Sequence, residues 1–470
     1  MITSTRQTRK KIESSLDKAR SYNEVVEYLY SLPANEYSAE SVNRMKELDR
    51  LFDHPSTKID TILVGGTNGK SSTIHFATKL LREEGLKVGA AYSTHILNFN
   101  EQTIINFEAI SNKAFTDLAN EVINVAQASN IKATAYEIVT MMSVLHFIEE
   151  KVDIAVLEVS YGGKHDAASI FNPKIAAITR IAHDQRGLLN EDLDQMAYEM
   201  LEISKPGCWF ISAEQSKLRL QKMKTWADDN KIQWAMPIRK LASLPYIYEQ
   251  LYGRIASLGE RIAQIYVEDI NGKFSPFLRG NLLATQKGQR GRPTLEAKRH
   301  AELNPIKTLK GFWADHFDLL NGRFDLLDKE KPSILLDNAS NLDACTNLFL
   351  GIRLLHYQKP LKGLALILGF SKSVNAMEAI KLVRYLLKKV SGQILFVQLP
   401  QIDGMPSHDV NDLTAIAKEL NIKAKACASF SEAFELAKTI VDERDGLVAI
   451  SGSNSLIHEY WKHRGIKKLG

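Results

Sequence analysis

Cysteine is scarce in this chain: Cys208, Cys345 and Cys427 are the only three among 470 residues. They lie far apart and none belongs to a CxxC or CxxH pair. A disulfide framework and a zinc ribbon are therefore excluded, and a reducing cytosol fits. Long hydrophobic runs are also lacking. No stretch reaches ~18 uncharged apolar residues, so no membrane span is expected. The first residues, Met-Ile-Thr-Ser-Thr-Arg-Gln-Thr-Arg-Lys-Lys, have no apolar stretch of the kind a secretory signal needs. Their Arg, Ser and Thr leave an organellar presequence open. Charge of one sign is not in marked excess. Sixty Lys and Arg against 55 Asp and Glu leave a net +5, which anionic small molecules explain as well as nucleic acid does. The densest basic run, Arg279 to Arg299 with Lys287, Arg290, Arg292 and Lys298, has no interleaved aromatics. It reads as a solvated loop, and no nucleic-acid partner is expected. Repeats and low-complexity tracts are absent. The length suffices for two or three cores of an ordinary globular protein.

The strongest positive feature is Ile59-Asp-Thr-Ile-Leu-Val-Gly-Gly-Thr-Asn-Gly-Lys-Ser-Ser-Thr73, an apolar strand running into a glycine loop and then a helix. In Gly65-Gly66-Thr67-Asn68-Gly69-Lys70-Ser71-Ser72 the glycines let successive N–H groups converge on one anion. Lys70 adds a mobile positive charge, and a hydroxyl after it can hold Mg²⁺. The helix from Ser72 to about Glu84 aims its positive end at the same place. A nucleoside triphosphate is the natural ligand. The spacing is not the full Walker pattern, because Gly65 precedes Gly69 by only four residues.

Around this loop, apolar strands alternate with amphipathic helices. Strands are expected at 87–93, 153–160 and 175–181, and helices at 22–33, 42–52, 113–129, 135–150 and 191–203. From Trp209 to about Pro305 the pattern loosens. A second alternating set follows, with strands at 333–339, 364–370, 393–399 and 447–452 and helices between them at 342–356, 375–390, 411–420 and 429–441. The predicted fold class is α/β: a mostly parallel sheet carrying the glycine loop in residues 1–318, plus a smaller Rossmann-like α/β domain in 319–470. Glu158, at the end of the apolar strand Asp153-Ile-Ala-Val-Leu-Glu-Val-Ser160, stands where a Mg²⁺ ligand or water-positioning carboxylate belongs.

Taken together, these segments resemble the folylpolyglutamate synthase/dihydrofolate synthase family of the Mur ligase superfamily, almost end to end. Tyr28-Leu-Tyr-Ser-Leu and Arg44-Met resemble its N-terminal helices, and Gly66-Thr67-Asn68-Gly69-Lys70 its phosphate loop GTNGKGS. Tyr92-Ser-Thr-His95-Ile resembles its SPHL loop, and Tyr136-Glu137 its TxFE helix. Leu157-Glu158-Val followed by Gly162-Gly163-Lys164-His-Asp166 is similar to LEVGLGGRLDAT, and Ala213-Glu214-Gln215 fits a later strand end. Gly322-Arg323-Phe324, Leu336-Asp337-Asn-Ala-Ser-Asn341 and Ser451-Gly452-Ser453 resemble PGRFE, LDGAHN and the final GS strand.

The resemblance implies a Mur-ligase central domain and an ATP- and Mg²⁺-dependent amide ligase. Such an enzyme adds L-glutamate to a carboxylate of a folate or dihydropteroate through an acyl phosphate, in the cytoplasm and as a monomer. It implies catalytic roles for Lys70, Glu158 and Asp184. Gly66, Thr67, Asn68, Gly69, Lys70, Ser71, Ser72, Arg323 and Asp337 would bind the nucleotide. Ser72, Glu158 and Gln185 would hold the metal, and His95, Tyr136 and Glu137 would face the pterin-bearing substrate. The chain also departs from the pattern. Gln185 stands at a metal histidine, and Met200 stands at a lysine that the family carbamylates to hold a second metal. Glu199 and Glu202 flank Met200 and are alternative ligands, whereas Lys205 matches a non-catalytic lysine. Ser340 replaces the DGAHN histidine, Ser71 replaces a glycine, and the GEHQxxNA motif is unrecognisable around Arg279. These departures leave two further readings open: a catalytically eroded paralogue that binds nucleotide or a partner, and a ligase for a different carboxylate and amino acid.

Overall fold

Two sheets organise the chain in a computed structural model that describes residues 18–183, 192–279, 307–400 and 406–469. The first sheet contains β1 (Thr61–Gly65), β2 (Val88–Ala91), β3 (Thr103–Ile105), β4 (Glu108–Ala109), β5 (Ile154–Glu158), β6 (Ile175–Ile178), β7 (Trp209–Ser212) and β8 (Gln233–Trp234). Its order is β4-β3-β2-β5-β1-β6-β7-β8. Six strands run parallel, and β3 and β4 form an antiparallel edge. The second sheet contains β9 (Asp325–Leu327), β10 (Ser333–Asp337), β11 (Leu364–Leu368), β12 (Gly392–Val397), β13 (Ala424–Cys427) and β14 (Leu447–Ser451). Its order is β13-β12-β11-β14-β10-β9, with only β9 antiparallel.

The central strands β1, β5, β6, β11 and β14 are buried along their whole length. This is why they read as unbroken apolar runs rather than as alternating ones. The α/β class and the two alternating sets agree with the expectation, with ends shifted by up to three residues. The expected strand 175–181, for example, pairs only as far as Ile178. Beyond it the backbone leaves the ladder, so that the Thr67 N–H donates to the Arg180 carbonyl at 2.7 Å.

Two sequence expectations change. The edge pieces β3, β4, β8, β9 and β13 have no counterpart in the expected strands, because short, partly exposed strands carry little periodic signal. The region read as loosening after Trp209 holds β7, the helix Lys217–Asp229, β8 and the helix Tyr246–Gln264, which continues as a wider-turned segment to Ile270. This last helix buries Ile247, Leu251, Ala256, Leu258 and Ile262. It lies close enough to the helix Lys70–Glu83 that a Cβ on Gly259 would stand 3.0 Å from the Ala77 nitrogen. Its Leu251 also reaches Gly351, on the helix Leu342–Gln358 of the second unit. It therefore packs against both units. The basic run beyond Arg279 lies outside the described residues.

The N-terminal helices Tyr22–Ser31 and Ala39–Leu51 share a separate core with the helices Asn112–Ala128 and Ala135–Glu149, built from Val25, Met45, Phe115, Val122 and Met141. No helix among the described residues is long and apolar enough to cross a membrane.

Ile450 is fully buried in β14, at the centre of the second sheet. Ile450→Ala is expected to cost that unit about 2–5 kcal/mol in urea unfolding, from lost transfer energy plus the residual cavity. A midpoint equal to the parent's would contradict the placement.

Candidate active site

Parallel pairing decides where the polar groups collect. In the register Val64 stands beside Glu158 of β5 and Ala177 of β6. The glycine loop after β1, the carboxylate ending β5 and the segment after β6 thus emerge at one sheet edge, where the strand order reverses direction. Gly66 has φ +120°, and a Cβ there would collide with the Thr179 hydroxyl. Gly69, with φ +91°, would place a Cβ 2.8 Å from Ile255 of the helix Tyr246–Gln264. Both positions need glycine on conformational and steric grounds. The sequence reading missed Ile255, whose only signal was the apolar spacing of its helix.

Each loop side chain has a defined partner. The Thr67 hydroxyl donates to the Ala182 carbonyl at 2.9 Å and accepts from the Ala182 N–H at 3.1 Å. The Lys70 ammonium donates to the Gly66 carbonyl at 2.9 Å and to the Thr67 carbonyl at 3.4 Å. The Ser71 hydroxyl lies 3.1 and 3.3 Å from the two Glu158 oxygens. Arg323, from the segment leading into β9, reaches the Ser71 hydroxyl at 3.5 Å. The hydroxyl that meets Glu158 is thus that of Ser71, whereas the sequence expectation had given the metal contact to Ser72. Ser72 is buried in the helix. Asp184 and Gln185 lie outside the described residues.

Two carboxylates support this arrangement from behind. Asp337 accepts from the Phe324 N–H at 2.8 Å and the Ala339 N–H at 2.9 Å, so it shapes the turn that carries Arg323. Asp166 accepts from the N–H groups of Tyr161 and Ala168 at 3.0 and 2.8 Å. The Tyr136 hydroxyl lies 2.8 Å from the Glu158 carbonyl and 3.2 Å from Asp166. Burial raises Asp166 to about 7 and Asp337 to about 6.

Beside this cluster opens a cleft of about 1060 Å³ shared by the two units. Ser71, Lys79, Tyr92, His95, Arg323 and Asn454 are among its lining residues. His95 stands at its wall. Its Nδ1 faces the Gln102 amide nitrogen at 3.0 Å and its Nε2 faces the Tyr30 hydroxyl at 3.0 Å. Burial, with His458 nearby, pushes His95 down to about 4, so the ring is neutral and both nitrogens are engaged.

The two residues expected to face the substrate are engaged inside the protein. Glu137 is completely buried, accepts two bonds from Arg44 at 2.9 and 2.7 Å and one from Ser41 at 2.6 Å, and caps its own helix with Thr134. Tyr136 is buried between Glu158 and Asp166. Neither is among the residues lining the cleft. Met200 is 1% exposed and packs in an apolar core with Leu63 and Ile203, so it offers no ligand to a metal. Glu199 accepts from the Tyr37 hydroxyl at 3.0 Å. Among the described residues no group of three His, Cys, Asp or Glu is placed to hold a metal ion.

A glycine loop at a switch point is joined across a cleft to a second, mostly parallel sheet, an α/β architecture of two units. Residues 64–206 match the Mur ligase middle domain model. The chain is similar to the folylpolyglutamate synthases. It is 32% identical over 214 residues to the dihydrofolate synthase/folylpolyglutamate synthase of Bacillus subtilis (strain 168), covering 44% of this chain and 49% of that protein. The match thus spans about half the length of that curated relative. The folylpolyglutamate synthase of Thermotoga maritima shares the fold with a TM-score of 0.67 at 21% identity, over 95% of this chain and 98% of that one. The bifunctional folylpolyglutamate synthase/dihydrofolate synthase of Yersinia pestis, complexed with AMPPNP and a Mn ion, gives 0.66 at 19%, over 90% and 93%.

Two outcomes follow for stability. Arg44→Ala leaves the Glu137 carboxylate buried without its cation and should cost about 3–5 kcal/mol in chemical unfolding, with Glu137→Gln restoring part of the loss in the double variant. The second concerns pH. The folded state holds Asp166 protonated up to about pH 7, whereas the unfolded chain releases that proton near the ordinary value of ~4. The stability from this group is complete below ~4 and is lost as pH rises through about 7. Asp166→Asn cannot lose a proton, so its Tm relative to the parent should climb between pH 5 and 8 in thermal melts. A difference independent of pH would refute the assignment.

Proposed function

We propose that the chain is an ATP-dependent ligase that joins the α-amino group of L-glutamate to a carboxylate of a folate or of dihydropteroate. We divide it near residue 318 into a nucleotide-binding unit and a closing unit. The observation that carries this reading is the Lys70 loop beside Glu158, facing a cleft to which the second unit contributes Arg323. The similarity to folylpolyglutamate synthases, one of them holding AMPPNP and a Mn ion, supports it.

A carboxylate is a poor acyl donor, because oxide would have to leave. Its oxygen attacks the γ-phosphorus of ATP, ADP departs, and the acyl phosphate forms. The amine nitrogen then bonds to the acyl carbon, loses a proton, and phosphate leaves. Lys70 and the loop N–H groups would hold the phosphates, with Arg323 adding positive charge from across the cleft. Neutral His95, pinned by Gln102 and Tyr30, would hold its wall in one shape toward the acyl substrate. Walls contributed by both units would keep water from the activated acyl group.

Mg²⁺ fits the Ser71 hydroxyl and the Glu158 carboxylate, both hard oxygen donors within 3.3 Å of each other; phosphate and water oxygens would complete its shell. When bound, the ion neutralises phosphate charge. Met200, locked in apolar packing, favours a second reading: a paralogue that binds nucleotide with eroded catalysis.

Purified protein given Mg²⁺, ATP, glutamate and either dihydropteroate or tetrahydrofolate should release ADP only when both co-substrates are present. Lys70→Ala and Glu158→Gln should each lower that rate at least ~100-fold. Nucleotide binding without such turnover would favour the second reading, and full activity in Lys70→Ala would sink the mechanism.

A further inference from the structure

We infer that the second unit sets the shape of the glycine loop through a closed circuit, in which the Asn68 side chain meets Asn341 and Asp343, Asp343 meets the Arg180 side chain, and the Arg180 backbone bridges back to Asn68; this makes Asn341 and Asp343 positioning residues for the nucleotide phosphates. The inference rests on the nucleotide reading of the preceding section and deepens it.

A loop flanked by two glycines with positive φ has little conformational stiffness of its own. One side of it is held within its own sheet: the Thr67 N–H donates to the Arg180 carbonyl, and a single backbone bridge pairs Asn68 with Arg180. The other side is held from the second sheet's unit. The Asn68 amide donates to the Asn341 side-chain oxygen at 3.1 Å and to Asp343 at 2.8 Å, and it accepts from the Asn341 amide at 2.9 Å. Asn341 also caps the helix Leu342–Gln358, its side-chain oxygen accepting from the Ala344 N–H at 2.9 Å. The second Asp343 oxygen takes the Arg180 guanidinium at 3.0 Å.

This ring admits one arrangement. The Asp343 oxygens take the Arg180 guanidinium and the Asn68 side chain, so the amide nitrogen of Asn68 must face Asp343. The Asn68 oxygen is then left for the Asn341 nitrogen, and the Asn341 oxygen must face its own helix terminus. Both Asn68 amide protons and its acceptor are used, and none of the four side chains can turn over without breaking a bond. Shifting the second unit therefore drags the apex of the loop and the segment after β6 together. The same contact works in reverse: a ligand that prefers one loop geometry must, by linkage, change the hold of the second unit on it by the same factor.

The test is amide hydrogen exchange over residues 64–72 and 341–345 of the full chain, with and without AMPPNP and Mg²⁺, together with AMPPNP affinity. It compares the parent with Asp343→Ala, Asn341→Ala and Arg180→Ala, which open the ring from both units. Asp445→Ala, which removes a remote surface pairing with Lys359 and Lys362, is the control. Ring-opening variants should exchange the loop amides faster and bind AMPPNP more weakly, each on the order of tenfold, while the control does neither. In the parent, AMPPNP should also slow exchange at 341–345, and this distant protection should vanish in Arg180→Ala and Asp343→Ala. A merely structural role would lower thermal stability without this loss of distant protection. Loop exchange equal to the parent in all three variants, or unchanged AMPPNP affinity in them, overturns the inference. Absence of glutamate-dependent turnover in a parent that binds AMPPNP and shows the distant protection would count against the ligase reading alone.

Discussion

The pairing of β1 between β5 and β6 is the constraint on which the rest depends. Three parallel strands in register deliver the glycine loop, Glu158 and the Thr179–Arg180 backbone to one edge, although they are separated by about a hundred residues along the chain. Nothing in the loop itself could hold Ser71 against Glu158. That contact exists because Val64 and Glu158 are neighbours across a hydrogen-bonded ladder buried on both faces. Burial also accounts for the chemistry around it, since Asp166 and Asp337 are pushed toward their neutral forms by the apolar surroundings that position them.

The second unit is tied to this edge at several separate places. Arg323 comes to Ser71, and Asn341 and Asp343 come to Asn68, while Asp318, where the units join, takes both His75 and Lys79 on the helix Lys70–Glu83. His458 adds a contact to the Ile96 carbonyl at 2.9 Å. These are polar contacts at the margins of a large cleft, whereas the helix Tyr246–Gln264 supplies apolar packing to both units. The polar contacts can exchange with water, whereas the apolar packing of this helix holds the two units together.

Most of the α/β plan was legible because buried parallel strands and amphipathic helices have strong periodic signatures. The glycine loop was legible because few other structures call for that run of glycine, lysine and serine between a strand and a helix. The loop and Glu158, both marked in the sequence, stand side by side in the structure. Motif position does not say which hydroxyl the first turn of a helix turns toward the neighbouring strand, and here it is that of Ser71. A motif near a site does not reveal which side chains are consumed in holding the backbone: Glu137 is spent on Arg44 and Ser41, and Tyr136 on the end of β5. The helix Tyr246–Gln264 was passed over although its apolar spacing was present, since tyrosines and arginines diluted the pattern.

By itself the sequence determined the class of fold, the strand–glycine loop–helix order and the absence of ligating chemistry at Met200, because these follow from residue type and local spacing. Only the tertiary structure decided which serine meets Glu158, that Asn68 is gripped by Asn341 and Asp343, and that two conspicuous acids are buried supports or near-neutral groups. Those outcomes depend on distances between residues far apart in the chain and on the dielectric that packing creates around them, and neither is written in any short run of residues.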